Sequence, residues 1–77
     1  MTTGEIADEY IAMRGEHDVA EAATKTMTKL SITPQNLIDA LGAEALNNNR
    51  PDYEAMQTYR NEVLSHFTNL KNQSEND

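Results

Sequence analysis

The sequence predicts an all-α protein: a small bundle of about four helices, near 3–14, 18–30, 34–46 and 51–71, with a disordered acidic tail over 72–77. Three observations carry this expectation. Residues able to cap a helix N-terminus, Thr2, Asp18 and Thr33, each stand ahead of an apolar-periodic stretch. The last third of the chain repeats apolar residues at steps of three and four, the period of an amphipathic helix. The alternation that marks a strand is confined to Thr28, Leu30 and Ile32.

Thr2-Thr3-Gly4-Glu5 has the form of a capping box, in which a threonine hydroxyl accepts from a free amide and the glutamate reaches back. Ile6, Tyr10 and Met13 then fall on one face, with Ile11 beside them. Asp8 and Glu9 lie where the helix dipole favours anions, and Gly15 is a C-terminal stop. Asp18-Val19-Ala20-Glu21 opens a second helix with Val19, Ala23, Met27 and Leu30 as its stripe. Glu21 and Lys25 are spaced to pair across one turn. The β-branched Thr24, Thr26 and Thr28 weaken that helix, so 26–32 reads as either helix or strand, with helix to about Leu30 favoured.

Thr33-Pro34 is an N-cap followed by proline at the first helical position. Leu37, Ile38 and Leu41 form the third stripe. Continuation through Gly42 to Leu46 costs the roughly 1 kcal/mol that glycine imposes in a helix. Asn47-Asn48-Asn49-Arg50 is a turn, and Pro51 starts the last helix. There, Tyr53, Arg60 and Phe67 occupy heptad position a, and Met56, Val63 and Leu70 position d. Tyr59 and Leu64 widen the seam.

The chain has 77 residues, and residues 1–71 are expected to form one domain. Thirteen residues are Leu, Ile, Val or Phe. That share is under the roughly 20% below which a highly charged chain tends toward disorder, so the core must be thin. The absence of cysteine excludes disulfides and thiolate metal sites. It also favours a cytoplasmic location. The first residues lack the basic and apolar segments of a signal peptide, and no apolar run reaches the roughly 20 residues of a membrane span. Net charge is −7, which disfavours contact with a phosphate backbone.

Catalytic, cofactor and metal signatures are not found. His17 and His66 are far apart, and Glu62 and His66 read as a surface pair one turn apart. The three glycines are isolated, so no phosphate-cradling loop exists. Asn47–Glu54 lacks the glycine and terminal glutamate of a calcium loop. Leu37–Ala43 is similar to the first helix and turn of a helix-turn-helix, but Asn48 stands where a buried aliphatic is needed. Lys29-Leu30-Ser31-Ile32-Thr33, followed by two helices, resembles the ribbon-helix-helix repressors and antitoxins. That resemblance implies a dimer with paired strands, and Lys29, Ser31 and Thr33 facing the DNA groove.

The leading expectation is a non-enzymatic protein–protein interaction module of regulatory, adaptor or inhibitor type, as small phage and accessory proteins are. Its partner is another protein or a second copy as a homodimer. Nucleic acid, membrane and cofactor are not expected. Tyr53, Met56, Tyr59, Arg60, Val63, Phe67 and Leu70 would meet the partner, because aromatic residues, Met and Arg are enriched at interfaces. Glu5, Asp8 and Glu9 would select it electrostatically. Arg60, a charge inside the seam, must either reach water along its stem or find a carboxylate. The alternatives are the ribbon-helix-helix DNA binder and an acidic DNA mimic that inhibits a nucleic-acid-binding protein.

Overall fold

The computed structural model describes residues 2–75, with side chains to Asn72. It contains four helices: α1 (Thr3–Arg14), α2 (Val19–Leu30), α3 (Pro34–Ala45) and α4 (Tyr53–Glu75). The described residues contain no strand. The all-α expectation therefore holds, element by element.

Local chemistry sets the boundaries. Thr2 Oγ1 accepts from the Glu5 amide at 3.1 Å and starts α1. Asp18 Oδ1 accepts from the Glu21 amide at 2.9 Å and starts α2. Thr33 and Asn36 form the one reciprocal box: the Asn36 amide donates to Thr33 Oγ1 at 3.1 Å and the Thr33 amide to Asn36 Oδ1 at 3.2 Å. Gly15 ends α1 with a right-handed φ of −66°, so this stop does not use the freedom of glycine. Ser31 ends α2 instead, in the left-handed region at φ 54° and ψ 48°.

At α2 the favoured reading, helix to Leu30, holds, and two expectations are corrected at α4. The strand at Lys29–Thr33 that a ribbon-helix-helix arrangement needs is absent: Lys29 and Leu30 close α2, and Ser31 turns the backbone away from an extended path. Thr26 does not break the helix, because its hydroxyl donates to the Ala22 carbonyl at 2.7 Å and is satisfied where it is buried. At α4, Pro51 precedes the helix rather than starting it. The Asp52 carbonyl accepts the first helical bond, from the Met56 amide at 3.3 Å. The helix also runs on through 72–75, which were expected to be disordered; Asn76 and Asp77 lie outside the described residues.

The core is built from all four helices: Ile6, Ala7 and Tyr10 from α1, Ala22 and Ala23 from α2, Leu37, Ile38, Ala40 and Leu41 from α3, and Met56 and Val63 from α4. Four of these eleven are alanine, so helices approach closely and little side-chain volume is buried. The principal extents are 44 × 22 × 22 Å. The long dimension follows from α4, whose 23 residues span about 34 Å at 1.5 Å per residue, against about 18 Å for each 12-residue neighbour.

Candidate protein-docking face

Charged side chains pin the bundle internally before any surface is left for a partner. Arg50, in the turn before α4, joins three elements. Its guanidinium meets Glu44 Oε1 of α3 at 2.9 Å, Asp52 Oδ1 at 2.6 Å, and Asp8 of α1. Glu44 is itself buried, and its other oxygen accepts from Thr3 Oγ1 at 2.9 Å. The hydrogen bonds that Arg50 donates to Asp8 and Glu44, together with the nearby charge of Asp52, raise the Arg50 pKa above its ordinary value, against the effect of burial. The first turn of α1 is thereby held against the last turn of α3.

A second cluster ties α1 to the middle of α4. Tyr10 is fully buried and donates its hydroxyl proton to Glu62 Oε1 at 2.8 Å. Arg14 Nε donates to the same oxygen at 3.0 Å, and Arg14 also caps the His17 carbonyl at 3.1 Å. Burial, then the hydrogen bond to the Glu62 carboxylate, pushes the Tyr10 pKa up. The Glu62 hydrogen bond likewise raises Arg14.

These pairings differ from two that the sequence suggested. Glu62 pairs with Tyr10 and Arg14 of α1, not with His66, whose ring lies 5.0 Å from that of Phe67. Glu21 pairs with His17 Nδ1 at 3.2 Å instead of with Lys25. Of the acids proposed for partner selection, Asp8 is engaged by Arg50, Glu9 lies 2.7 Å from Lys29 Nζ of α2, and Glu5 stays exposed.

The α4 seam divides in the same way. Met56 and Val63 have no exposed surface and belong to the core. Tyr59 is half-buried, edge-on to Tyr10 at 5.7 Å between ring centroids, and Phe67 is half-buried against the core. Tyr53 and Leu70 remain 36% and 45% exposed. Leu70 lies two heptads beyond Met56 and one beyond Val63, on the same core-facing stripe. It is exposed because α3 ends first. The α3–α4 hairpin pairs Gly42 with Arg60, which sets Pro34 opposite residue 68, so Leu70 overruns the bundle.

Gly42 is the organising position of the free surface. A Cβ there would lie 3.3 Å from Cδ and Nε of Arg60, so the missing side chain admits the arginine stem between α3 and α4. Among the described residues Arg60 has no carboxylate within ion-pair distance. Its NH1 donates only to Asn61 Oδ1 at 3.4 Å. Arg60 therefore covers the hairpin with its stem and sends its charge toward water. Leu46, the C-cap residue of α3, stands one turn after Gly42, and Tyr53 and Leu64 stand seven residues before and four after Arg60 on α4. All three share the Gly42–Arg60 side of the hairpin. Among the described residues four large hydrophobics are exposed, and three of them, 82% exposed Leu46, Tyr53 and 38% exposed Leu64, fall on this side by their helical spacing. In the sequence Leu64 reads as a flank of the seam, and Leu46 carries no periodic signal because it stands at the end of a helical pattern.

No group of three or more His, Cys, Asp or Glu side chains among the described residues could hold a metal ion. The open depression on α2, between Ala20, Glu21, Thr24 and Lys25, presents one carboxylate and one ammonium and no base beside a nucleophile. No described helix is long and apolar enough to cross a membrane. Comparison with protein-family models, with curated proteins and with solved structures finds no match to this chain. What fold and surface together define is a small four-helix protein with an apolar face on its α3–α4 hairpin.

Proposed function

We propose that this chain is a non-enzymatic protein-binding module of regulatory or adaptor type, and that it meets its partner through the α3–α4 hairpin. One observation carries the reading: of the four large hydrophobics exposed among the described residues, three, Leu46, Tyr53 and Leu64, gather on the side of the hairpin where Gly42 meets Arg60. Scattered single apolar residues are ordinary on a protein surface, whereas a shared apolar face marks a contact site. Within the seam first expected to bind, Tyr53 and Arg60 keep this role and Leu70 adds an accessible edge at the overhanging end of α4. Met56 and Val63 act from below, by fixing α4 in place. A cytoplasmic setting belongs to the same reading and rests on the cysteine-free composition.

The test is capture of bound protein by the tagged chain and by its Leu64→Asp variant. Leu64 is on the surface, so the variant should keep its helical circular dichroism. The reading expects a protein, or a second copy, retained by the unaltered chain and lost by the variant. Equal capture by both, or none by either with a monomeric solution mass, overturns it.

A further inference from the structure

We infer that α2 is a movable helix: it undocks as a unit while α1, α3 and α4 keep their arrangement. This device stands apart from the docking role proposed for the α3–α4 face. It follows first from what each helix commits to the core. The large apolar side chains with no exposed surface come from the other three helices: Tyr10 from α1, Leu37 and Leu41 from α3, and Met56 and Val63 from α4. The buried residues of α2 are Ala22, Ala23 and Thr26. Its larger apolar residues, Val19, Met27 and Leu30, pack against the core but stay partly exposed. Hydrophobic stabilisation scales with the apolar area removed from water, so undocking α2 sacrifices the least.

The polar ties divide in the same way. Thr3 reaches Glu44, Arg50 reaches Glu44 and Asp8, and Tyr10 and Arg14 reach Glu62, so α1, α3 and α4 are bolted to one another without α2. The Thr26 hydroxyl donates to the Ala22 carbonyl within α2, and this bond survives when the helix moves. Among the described residues one side-chain tie joins α2 to another helix, the Lys29–Glu9 pair, and the Lys29 side chain is 60% exposed. An ion pair so open to water holds little. Both ends of α2 have places to turn. Residues 15–18 and 31–33 lie outside the helices, and Ser31 already sits at a left-handed φ of 54°. Arg14 donates to the His17 carbonyl, which keeps the first hinge with α1. Few large buried side chains and one exposed tie are the marks of a segment that opens below the global unfolding free energy. On opening, α2 uncovers the flank of α1 against which it chiefly packs, a surface that is closed in the docked form.

The experiment is native-state hydrogen exchange on the full chain labelled with nitrogen-15, in low urea and corrected for intrinsic rates. The middle amides of α2, 23–27, should exchange about tenfold or more faster than those of α1 (7–11) and α3 (38–42), with a shallower dependence on urea because less surface is exposed. Thr3→Val supplies a second reading. The Thr3–Glu44 bond persists when α2 opens, so its loss weakens the docked and the α2-open forms alike. Exchange in α1, α3 and α4 should then rise about two- to tenfold, the usual worth of one hydrogen bond, while exchange in α2 stays as it was. Equal protection and equal urea slopes in all four helices overturn the inference, because the bundle then opens as one unit. So does exchange of α1 together with α2, or a Thr3→Val effect on α2 as large as that on α3.

Discussion

The hydroxyl of Tyr10 donates to Glu62 at 2.8 Å, joining residues 52 apart in the chain, and both side chains also serve other partners. Tyr10 lies edge-on to Tyr59, and Glu62 holds Arg14. One buried phenol thus fixes how α1 crosses the middle of α4. Tyr10→Phe keeps the ring packing and removes the bond. The expected cost is about 1.5 kcal/mol, at the low end for a hydrogen bond to a charged group, because Glu62 keeps Arg14 and some contact with water. Urea unfolding of the two proteins measures it.

The same bond makes stability pH-dependent at the alkaline end. Tyr10 has a folded-state pKa raised above the roughly 10 of an unfolded tyrosine, first by burial and then by Glu62. The folded protein therefore holds this proton where the unfolded chain releases it. The contribution is complete below about pH 10 and is lost as pH rises through the higher folded value. Phenolate absorbance should show Tyr10 ionising above the roughly pH 10 of a free tyrosine, and Tyr10→Phe should lack both this step and this part of the alkaline loss.

Arg50→Ala should be the most damaging single change outside the apolar core. It leaves the buried Glu44 carboxylate beside Asp8 and Asp52 with no cation. Asp8 and Asp52 are well exposed and add little, so the loss comes mainly from Glu44 and is about 3 kcal/mol. For a domain of this size that lowers Tm by roughly 12–24 °C. Arg50→Lys should recover only part of it, because one ammonium cannot fork toward α1, α3 and the turn together.

Ser31→Gly should stabilise the fold. Ser31 holds φ 54°, a left-handed conformation that costs a non-glycine residue about 1 kcal/mol, and its side chain is exposed. The gain, less the greater freedom of glycine in the unfolded chain, is about 0.5 kcal/mol. A shift in urea midpoint without a change in slope is the expected result.

At Gly42 two substitutions should separate folding from docking. Gly42→Ala adds helix propensity, and the Cβ meets only the flexible stem of Arg60 at 3.3 Å, which can move aside. A net change between zero and about 1 kcal/mol in favour of folding is expected. A change to Leu or Met would displace the Arg60 stem that lies over this position. The comparison is between thermal melts and partner capture: Gly42→Ala should keep both, and Gly42→Met, by displacing the Arg60 stem, should weaken capture more than it lowers Tm.

The four helices and their limits were legible in the chain because their causes are local. Thr2, Asp18 and Thr33 cap amides three residues away, and the apolar period of α4 lies within 20 residues. Where local rules competed, the ends moved: Pro51 yielded the first helical bond to Asp52, and α4 ran past Lys71 to Glu75. What a heptad cannot tell is whose surface covers it. Met56 and Val63 read the same as Leu70 in the sequence, and only the packing of the other helices buries the first two and leaves the third exposed. Charges behaved likewise. Glu62 has His66 one turn away, yet it chose Tyr10 and Arg14 from another helix, because a partner beside a buried phenol gains more than one across a hydrated helix face. The sequence alone thus determined the elements, through bonds that span a few residues. The tertiary structure decided which face of each element is spent inside the bundle and which, around Gly42 and Arg60, stays open, since burial depends on neighbours distant in the chain.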